Sequence, residues 1–357
     1  MAYPLLQVEN LRAHIYLDEG VVRAVNGVSF GLKRGETLAL VGESGAGKSV
    51  VAQSILRILP DNAKIEGGRI LFSSNGDSPV DLAQLPPDGK RMQAIRGDAI
   101  GMIFQEPMTS LSPVHTIGDQ IGETVRLHRG ATRSAARVAA IDVLKAVGFP
   151  DPEQKVDAYP FELSGGLRQR AMIAMALACR PALLIADEPT SALDVTIQIQ
   201  ILDLLLSLQH EYGMGLLIIA HDPGVVAYVA DQVAVMYRGK IMEMGPLATL
   251  YGNPQHPYLQ ALLRSTPRFE REDGKRLEAI PGTVPNPLTP MRGCPFLSRC
   301  AEGERNLCGS SMPLLSPLAP DHLVACFKRG SEAELAMPAE TISQNGAAHR
   351  EETCGRA

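Results

Sequence analysis

The sequence predicts an α/β fold with an inserted helical subdomain, on three observations. The apolar run "TLALVG" leads straight into the glycine-rich "GESGAGKS", and "SVVAQSILRIL", with apolar residues at helical spacing, follows and ends at Pro60. That is the strand, loop and helix order of a phosphate-binding (P-loop) fold. Two more runs, "ALLIAD" and "GLLIIAH", are continuously apolar and end in polar residues, with the helical "TIQIQILDLLLSLQHEYG" between them. Buried parallel strands joined by a crossover helix read this way. Between about residues 107 and 180 the character is helical instead, which predicts the insertion.

Taken in order, "LLQVENLRAHI" and "AVNGVSFGL" are short apolar stretches separated by glycine-rich turns, and they predict strands ahead of the phosphate loop. Within the helical insertion, "TRSAARVAAIDVLKAVG" sets Ala140, Ile141, Leu144 and Val147 along one stripe, with Gly148 to end the helix. From about residue 253 proline becomes frequent and the four closest-spaced cysteines appear. The expected organisation is a nucleotide-binding domain over 1–252, an extension over 253–330 and a disordered tail over 331–357, where the sequence is polar and without periodicity. No internal repeat stands out.

A 45 % hydrophobic content fills a sizeable core. A formal charge of −5 and a pI near 5.9 offer nucleic acid no global attraction, so no nucleic-acid partner is expected. The N-terminal stretch "MAYPLLQVENLRAHIYLDEG" has acidic residues where a signal peptide has an apolar core, and no uncharged apolar run reaches the roughly 18 residues of a membrane span. A cytosolic protein is expected. Six cysteines in that compartment point to metal binding or incidental thiols rather than disulfides.

In the loop, Gly42, Gly45 and Gly47, with Glu43, Ser44 and Ala46 between them, let backbone N–H groups wrap a triphosphate. Lys48 then reaches the β and γ phosphates and Ser49 ligates Mg²⁺. Asp187, ending "ALLIAD", supplies the carboxylate such a site needs for the metal, and Glu188 is the candidate general base for attacking water. His221, ending the next strand at the same sheet edge, is assigned to the γ-phosphate. A second phosphate-type helix start lies at Ser164, Gly165 and Gly166 in "FELSGGLRQR", with basic residues one turn in.

"GESGAGKS", "FQEPMTS", "LSGGLRQR", "LLIADEPTSALD" and "IIAHD", in this order and at these separations, closely resemble the ATP-binding cassette of ABC transporters over about residues 5–250. The resemblance implies a RecA-like α/β core with an antiparallel β subdomain and a helical subdomain. It makes Gln105 the residue that senses Mg²⁺ and nucleotide, and Asp194 the acid that communicates across a dimer. Two cassettes would meet head to tail, so that Ser164, Gly165 and Gly166 bind the ATP held by the partner. Leu167 stands where many members have Gln, a feature of the peptide-importer branch. The family's adenine-stacking aromatic aligns with Ile15, with Tyr16 beside it.

The tail cysteines run Cys294-x5-Cys300-x7-Cys308-x17-Cys326. Spacing alone leaves zinc, an iron–sulfur cluster and unligated thiols open, although four soft ligands in a tail of little apolar content favour a metal. "QHPYLQALLRSTP" and "IPGTVPNPLTPMRGCPFLSRC" resemble the C-terminal extension of oligopeptide, dipeptide and nickel importer ATPases, some of which hold a [4Fe–4S] cluster; the resemblance carries that role to these four residues, with zinc as the alternative. Cys179 reads as a small core residue and Cys354 lies in the expected disordered end. The implied function is the ATPase subunit of a di- or oligopeptide importer at the cytoplasmic face of the inner membrane. It would work with a second, paralogous ATPase subunit, two transmembrane permeases and, indirectly, an extracytoplasmic binding protein. The alternatives are an importer ATPase of the same branch for nickel chelates or oligosaccharides, a soluble ABC ATPase, or a metal or redox sensor. Nothing in the sequence places the cysteines near Lys48, which favours a structural or docking tail.

Overall fold

The computed structural model describes residues 3–76, 78–105, 110–191, 193–265 and 279–329. Strands β1 (Leu6–Leu17) and β2 (Gly20–Leu32) form a long antiparallel hairpin. The fully buried β3 (Thr37–Val41) leads through the loop into α1 (Lys48–Leu56). This helix stops before Pro60, at Arg57 in the left-handed region. Next come β4 (Ala63–Phe72), β5 (Val80–Asp81), α2 (Lys90–Ile95) and β6 (Ile100–Ile103).

The helical insertion comprises α3 (Ile117–Arg129), α4 (Arg133–Ala146), the single turn α5 (Pro152–Lys155) and α6 (Gly165–Leu177). The stripe predicted on α4 is its packed face: Ala140, Leu144 and Val147 are buried and Ile141 partly so, while Gly148 takes φ 66 just past the end. Then β7 (Leu183–Asp187), α7 (Val195–Tyr212), β8 (Gly215–Ala220), α8 (Pro223–Val229), β9 (Gln232–Tyr237) and β10 (Lys240–Pro246) complete the core. Beyond it lie α9 (Leu247–Gly252), α10 (Pro257–Arg264), α11 (Arg305–Cys308), β11 (Ser316–Ala319) and β12 (His322–Val324). The tail over 331–357, with Cys354, lies outside the described residues.

Two sheets result. The small one is antiparallel with order β2-β1-β4-β5, and the large one has order β11-β12-β10-β9-β3-β8-β7-β6. Its five strands from β9 to β6 are parallel, and β10, β12 and β11 add antiparallel at one edge. Alternation along each buried strand feeds two cores. Leu38 and Leu40 of β3 join Ile185, Leu217 and Ile219 in the core under the small sheet and α1. Ala39 and Val41 join Leu184, Leu216 and Ile218 in the core under the helical insertion. Tyr258 and Leu259 of α10 and Phe296 belong to that second core, so the extension shares the apolar interior of the large sheet. No helix among the described residues is long and apolar enough to cross a membrane.

Candidate functional site

Register brings the site together. Val41 lies opposite Ala220, Ile219 opposite Asp187, and Ala186 opposite Ile103, so β3, β8, β7 and β6 finish along one edge of the sheet. The residues just beyond or at these ends are Gly42, His221, Asp187 with Glu188, and Gln105. The carboxyl edge of a parallel sheet is where α/β folds place ligands. A concavity of about 1150 Å³ lies instead beside the strand starts at Glu36 and Gln232, away from these groups.

The loop after β3 depends on glycine at two close approaches. A Cβ on Gly42 would stand 2.1 Å from the Met236 carbonyl oxygen, and one on Gly47 2.0 Å from that of Ala24. Both also have positive φ, 154 and 101, so any side chain would force the loop open. Lys48, at the start of α1, is 5 % exposed and donates to the carbonyls of Gly42 (2.8 Å) and Glu43 (3.2 Å). Burial holds its pKa below the usual lysine value, against the pull of Glu188, Asp187 and Glu43. Ala46 is buried, and its carbonyl accepts from Gly239 N–H at 2.8 Å.

Asp187 is buried and its Oδ1 has no hydrogen-bond partner. Desolvation raises its pKa, while a hydrogen bond from Ser49 works in the opposite direction. An orphaned carboxylate oxygen beside a hydroxyl is a donor set that fits Mg²⁺, a hard cation taking oxygen ligands. Glu188 follows with φ 47, the left-handed region. Its Oε2 accepts from Gln105 Nε2 at 3.1 Å and lies 3.1 Å from His221 Nδ1. The three residues, from three different strand ends, thus form one cluster. Residues 106–109, after Gln105, lie outside the described residues.

Ser164 caps α6, its Oγ accepting from Leu167 N–H at 3.4 Å, and Leu167 packs partly against the core. Ser164 and Gly165 are exposed, and a Cβ on Gly165 would meet nothing within 4 Å. The arginines one turn in bind within their own chain. Arg168 Nε donates to Pro160 O at 2.7 Å and Arg170 to Val147 O at 2.5 Å, the latter closing the end of α4. Asp194 caps α7 through Ile197 N–H at 3.1 Å. The sequence reading passed over Gln169, which is buried and donates to Pro189 O at 2.6 Å, tying α6 to the residue after Glu188. Its only signal was a polar residue on the inward face of an apolar helix.

Beside the loop, a cavity of about 230 Å³ is lined by Ser44, Gly45, Val22, Arg23, Ala24 and, from the extension, Pro285. Ile15 pairs with Val22 across the hairpin, whereas the Tyr16 hydroxyl is bound to Glu66 at 2.6 Å.

A [4Fe–4S] cluster, or zinc, on Cys294, Cys300, Cys308 and Cys326 does not hold. Among the described residues no group of three or more His, Cys, Asp or Glu side chains is placed to hold a metal ion. The four cysteines line one cavity of about 20 Å³, room on the order of one water. Burial pushes Cys294 up to about 11 and raises Cys300 and Cys326. The premise that ligation replaces missing core also falls, because Cys294 and Cys300 pack against the core of the large sheet. Cys179 is buried, as expected of a core residue.

A family profile described as ABC transporter matches residues 25–191, and one described as the C-terminal region of oligopeptide/dipeptide transporters matches residues 242–308. A dipeptide transport ATP-binding protein of Bacillus subtilis is 47 % identical over 334 residues, covering 93 % of this chain and 97 % of its own. An oligopeptide transport ATP-binding protein of Salmonella typhimurium is 44 % identical over 324 residues, covering 91 % and 93 %. Among solved structures, a dimeric ATP-binding cassette in a post-hydrolysis state with ADP and Pi is similar with a TM-score of 0.59 and 27 % identity, over 68 % of this chain and 98 % of that one.

Proposed function

The chain belongs to the ABC transporter family, among the ATP-binding proteins of peptide import, and from that premise we propose that residues 42–49, 105, 187, 188 and 221 form its ATP-hydrolysing site. The observation that carries this reading is the cluster of Gln105, Glu188 and His221 at the sheet edge that bears the phosphate loop.

In this reading Lys48 exchanges its carbonyl partners for β and γ phosphate oxygens, and its buried charge is then matched by the nucleotide. Ser49, Asp187 and Gln105 would hold Mg²⁺, whose charge offsets that on the phosphates. Glu188 takes the proton of an attacking water on Oε1, while Gln105 and His221 hold Oε2 and fix the carboxylate's orientation. The exposed Ser164 and Gly165, with the half-buried Gly166, await a triphosphate carried by a second ATPase subunit, a paralogue or an identical copy. Asp194 communicates across that interface.

Exposed apolar side chains on and around the helical insertion, Val114, Leu127 and Phe161, offer a docking face for two permease subunits. The chain would then sit peripherally at the cytoplasmic face of the inner membrane, with a binding protein outside selecting the peptide. The cavity beside Ser44 and Gly45 suits the adenosine, with Val22 rather than Tyr16 against the base. Glu188→Gln tests the assignment. Phosphate release should fall by ~10²- to 10⁴-fold while nucleotide binding persists. Unchanged turnover would remove Glu188 as the base.

A further inference from the structure

We infer that the C-terminal extension positions the phosphate loop, acting through Arg299 and Tyr258 on Glu43. Glu43 is the second residue of the loop, and its three polar handles are all engaged. Its carboxylate receives Arg299 Nη1 at 2.6 Å and Nη2 at 3.0 Å, a two-pronged ion pair. Its N–H donates to the Tyr258 hydroxyl at 2.9 Å. Its carbonyl accepts from Lys48 Nζ at 3.2 Å. Two of these holds come from residues more than 200 positions away, on the extension, while the carbonyl is held within the loop by Ala46 N–H at 3.1 Å and by the phosphate-binding lysine.

Arg299 is built to be immobile. Its side chain is 4 % exposed, Nε donates to Pro281 O at 3.0 Å, and Nη1 also reaches the Tyr237 hydroxyl at 3.3 Å. The guanidinium lies over the rings of Tyr237 and Phe296 at 5.8 and 5.9 Å. It immediately precedes Cys300 in a short turn, and Cys294 N–H closes that segment on Cys308 O at 2.7 Å. The cysteine-bearing turn is therefore one residue from a contact with the loop, where the sequence offered no link between them.

Anchoring the extension alone would not require this contact, because Tyr258, Leu259 and Phe296 already bury apolar surface in the large core. A planar fork fixes the orientation of a carboxylate as well as its distance. Ended on Glu43, it fixes the backbone of the loop whose N–H groups must face the phosphates. Arg299 and Tyr258 are positioning residues: they touch no reacting atom, so their loss acts on nucleotide affinity and leaves the chemical step at saturation alone. The inference rests on the reading of residues 42–49 as the nucleotide loop.

The test is a double-mutant cycle on the full chain, reading the Kd for MgATP and the KM and kcat of hydrolysis. Arg299→Gln should raise Kd and KM by about tenfold with kcat retained, and Glu43→Gln, inside the loop itself, should raise Kd by a similar factor. The double variant should lose no more than either single one, and Arg299→Lys, which keeps charge without the fork, should recover only part. Additive losses, a wild-type Kd in Arg299→Gln, or a fall in kcat alone would overturn the proposal. Should Arg299→Gln fail to fold, Tyr258→Phe decides, since it removes only the oxygen that receives Glu43 N–H. A several-fold rise in Kd is expected, and no change refutes. Lys48→Ala separates the two readings, because if it binds MgATP like wild type, the nucleotide-loop assignment is what fails.

Discussion

Glu188 holds the left-handed backbone region, which costs a non-glycine residue about 1–2 kcal/mol, and its N–H is pinned to Ile219 O at 2.9 Å. Strain kept at a residue that touches both Gln105 and His221 is typical of a group held for use. His256 makes a different residue-scale prediction. It is buried at the start of α10, its Nδ1 accepting Tyr258 N–H at 3.0 Å, and desolvation lowers its pKa to about 3. The unfolded chain, with a pKa near 6.5, binds the extra proton throughout the window between, so stability rises with pH across it. Acidification from about 6.5 toward 3 should therefore remove on the order of 4 kcal/mol. Urea midpoints across that range should fall more steeply for wild type than for His256→Asn, which keeps an acceptor but does not titrate. Parallel slopes would exclude His256 as the source.

At the scale of elements, side-chain caps set where several helices begin. Thr116, Thr132, Ser164, Asp194 and Asp222 each accept from a backbone N–H of the first turn. Asp194 combines a cap with its proposed role across a dimer, and two substitutions separate these. Asp194→Ala should lower stability by about 1 kcal/mol through loss of the cap on α7. Asp194→Asn keeps the cap and should melt like wild type; its hydrolysis should nonetheless drop if the charge serves the partner. Thermal melts beside phosphate-release assays distinguish the outcomes. Helix α6 is coupled inward as well, because Gln169 links it to Pro189 beside the proposed base.

For the whole molecule, the exposed start of α6 and the phosphate loop are proposed to be halves of one site in different chains. Turnover per chain should then rise with protein concentration until dimers saturate, and fall on dilution. A strictly monomeric preparation with full, dilution-independent activity would contradict this. The extension belongs to the same unit. It adds β11 and β12 to the edge of the large sheet, and His322 of β12 pairs with the fully buried Glu243 of β10 at 2.8 Å. Joined through the core and through Arg299, it cannot swing as an independent lobe without breaking the Arg299–Glu43 ion pair.

Much of the fold was legible because it is written in contiguous residues. "ALLIAD" and "GLLIIAH" are buried strands, and "GESGAGKS" sits between a strand and a helix where backbone geometry demands glycine. Asp187, Glu188 and His221 could be grouped in advance because parallel strands end together. What needed the tertiary structure was pairing across long separations and the burial of individual groups. Arg299 meets Glu43 across 256 residues, and no local pattern encodes that contact. The cysteine spacing likewise invited a metal, and only the tertiary structure, which packs Cys294 and Cys300 against an existing core and places no metal-holding group among the described residues, decided otherwise. Local geometry repeats every two or four residues and so is readable in sequence. Which surfaces meet depends on strand order and on desolvation, and these exist only once the chain has closed.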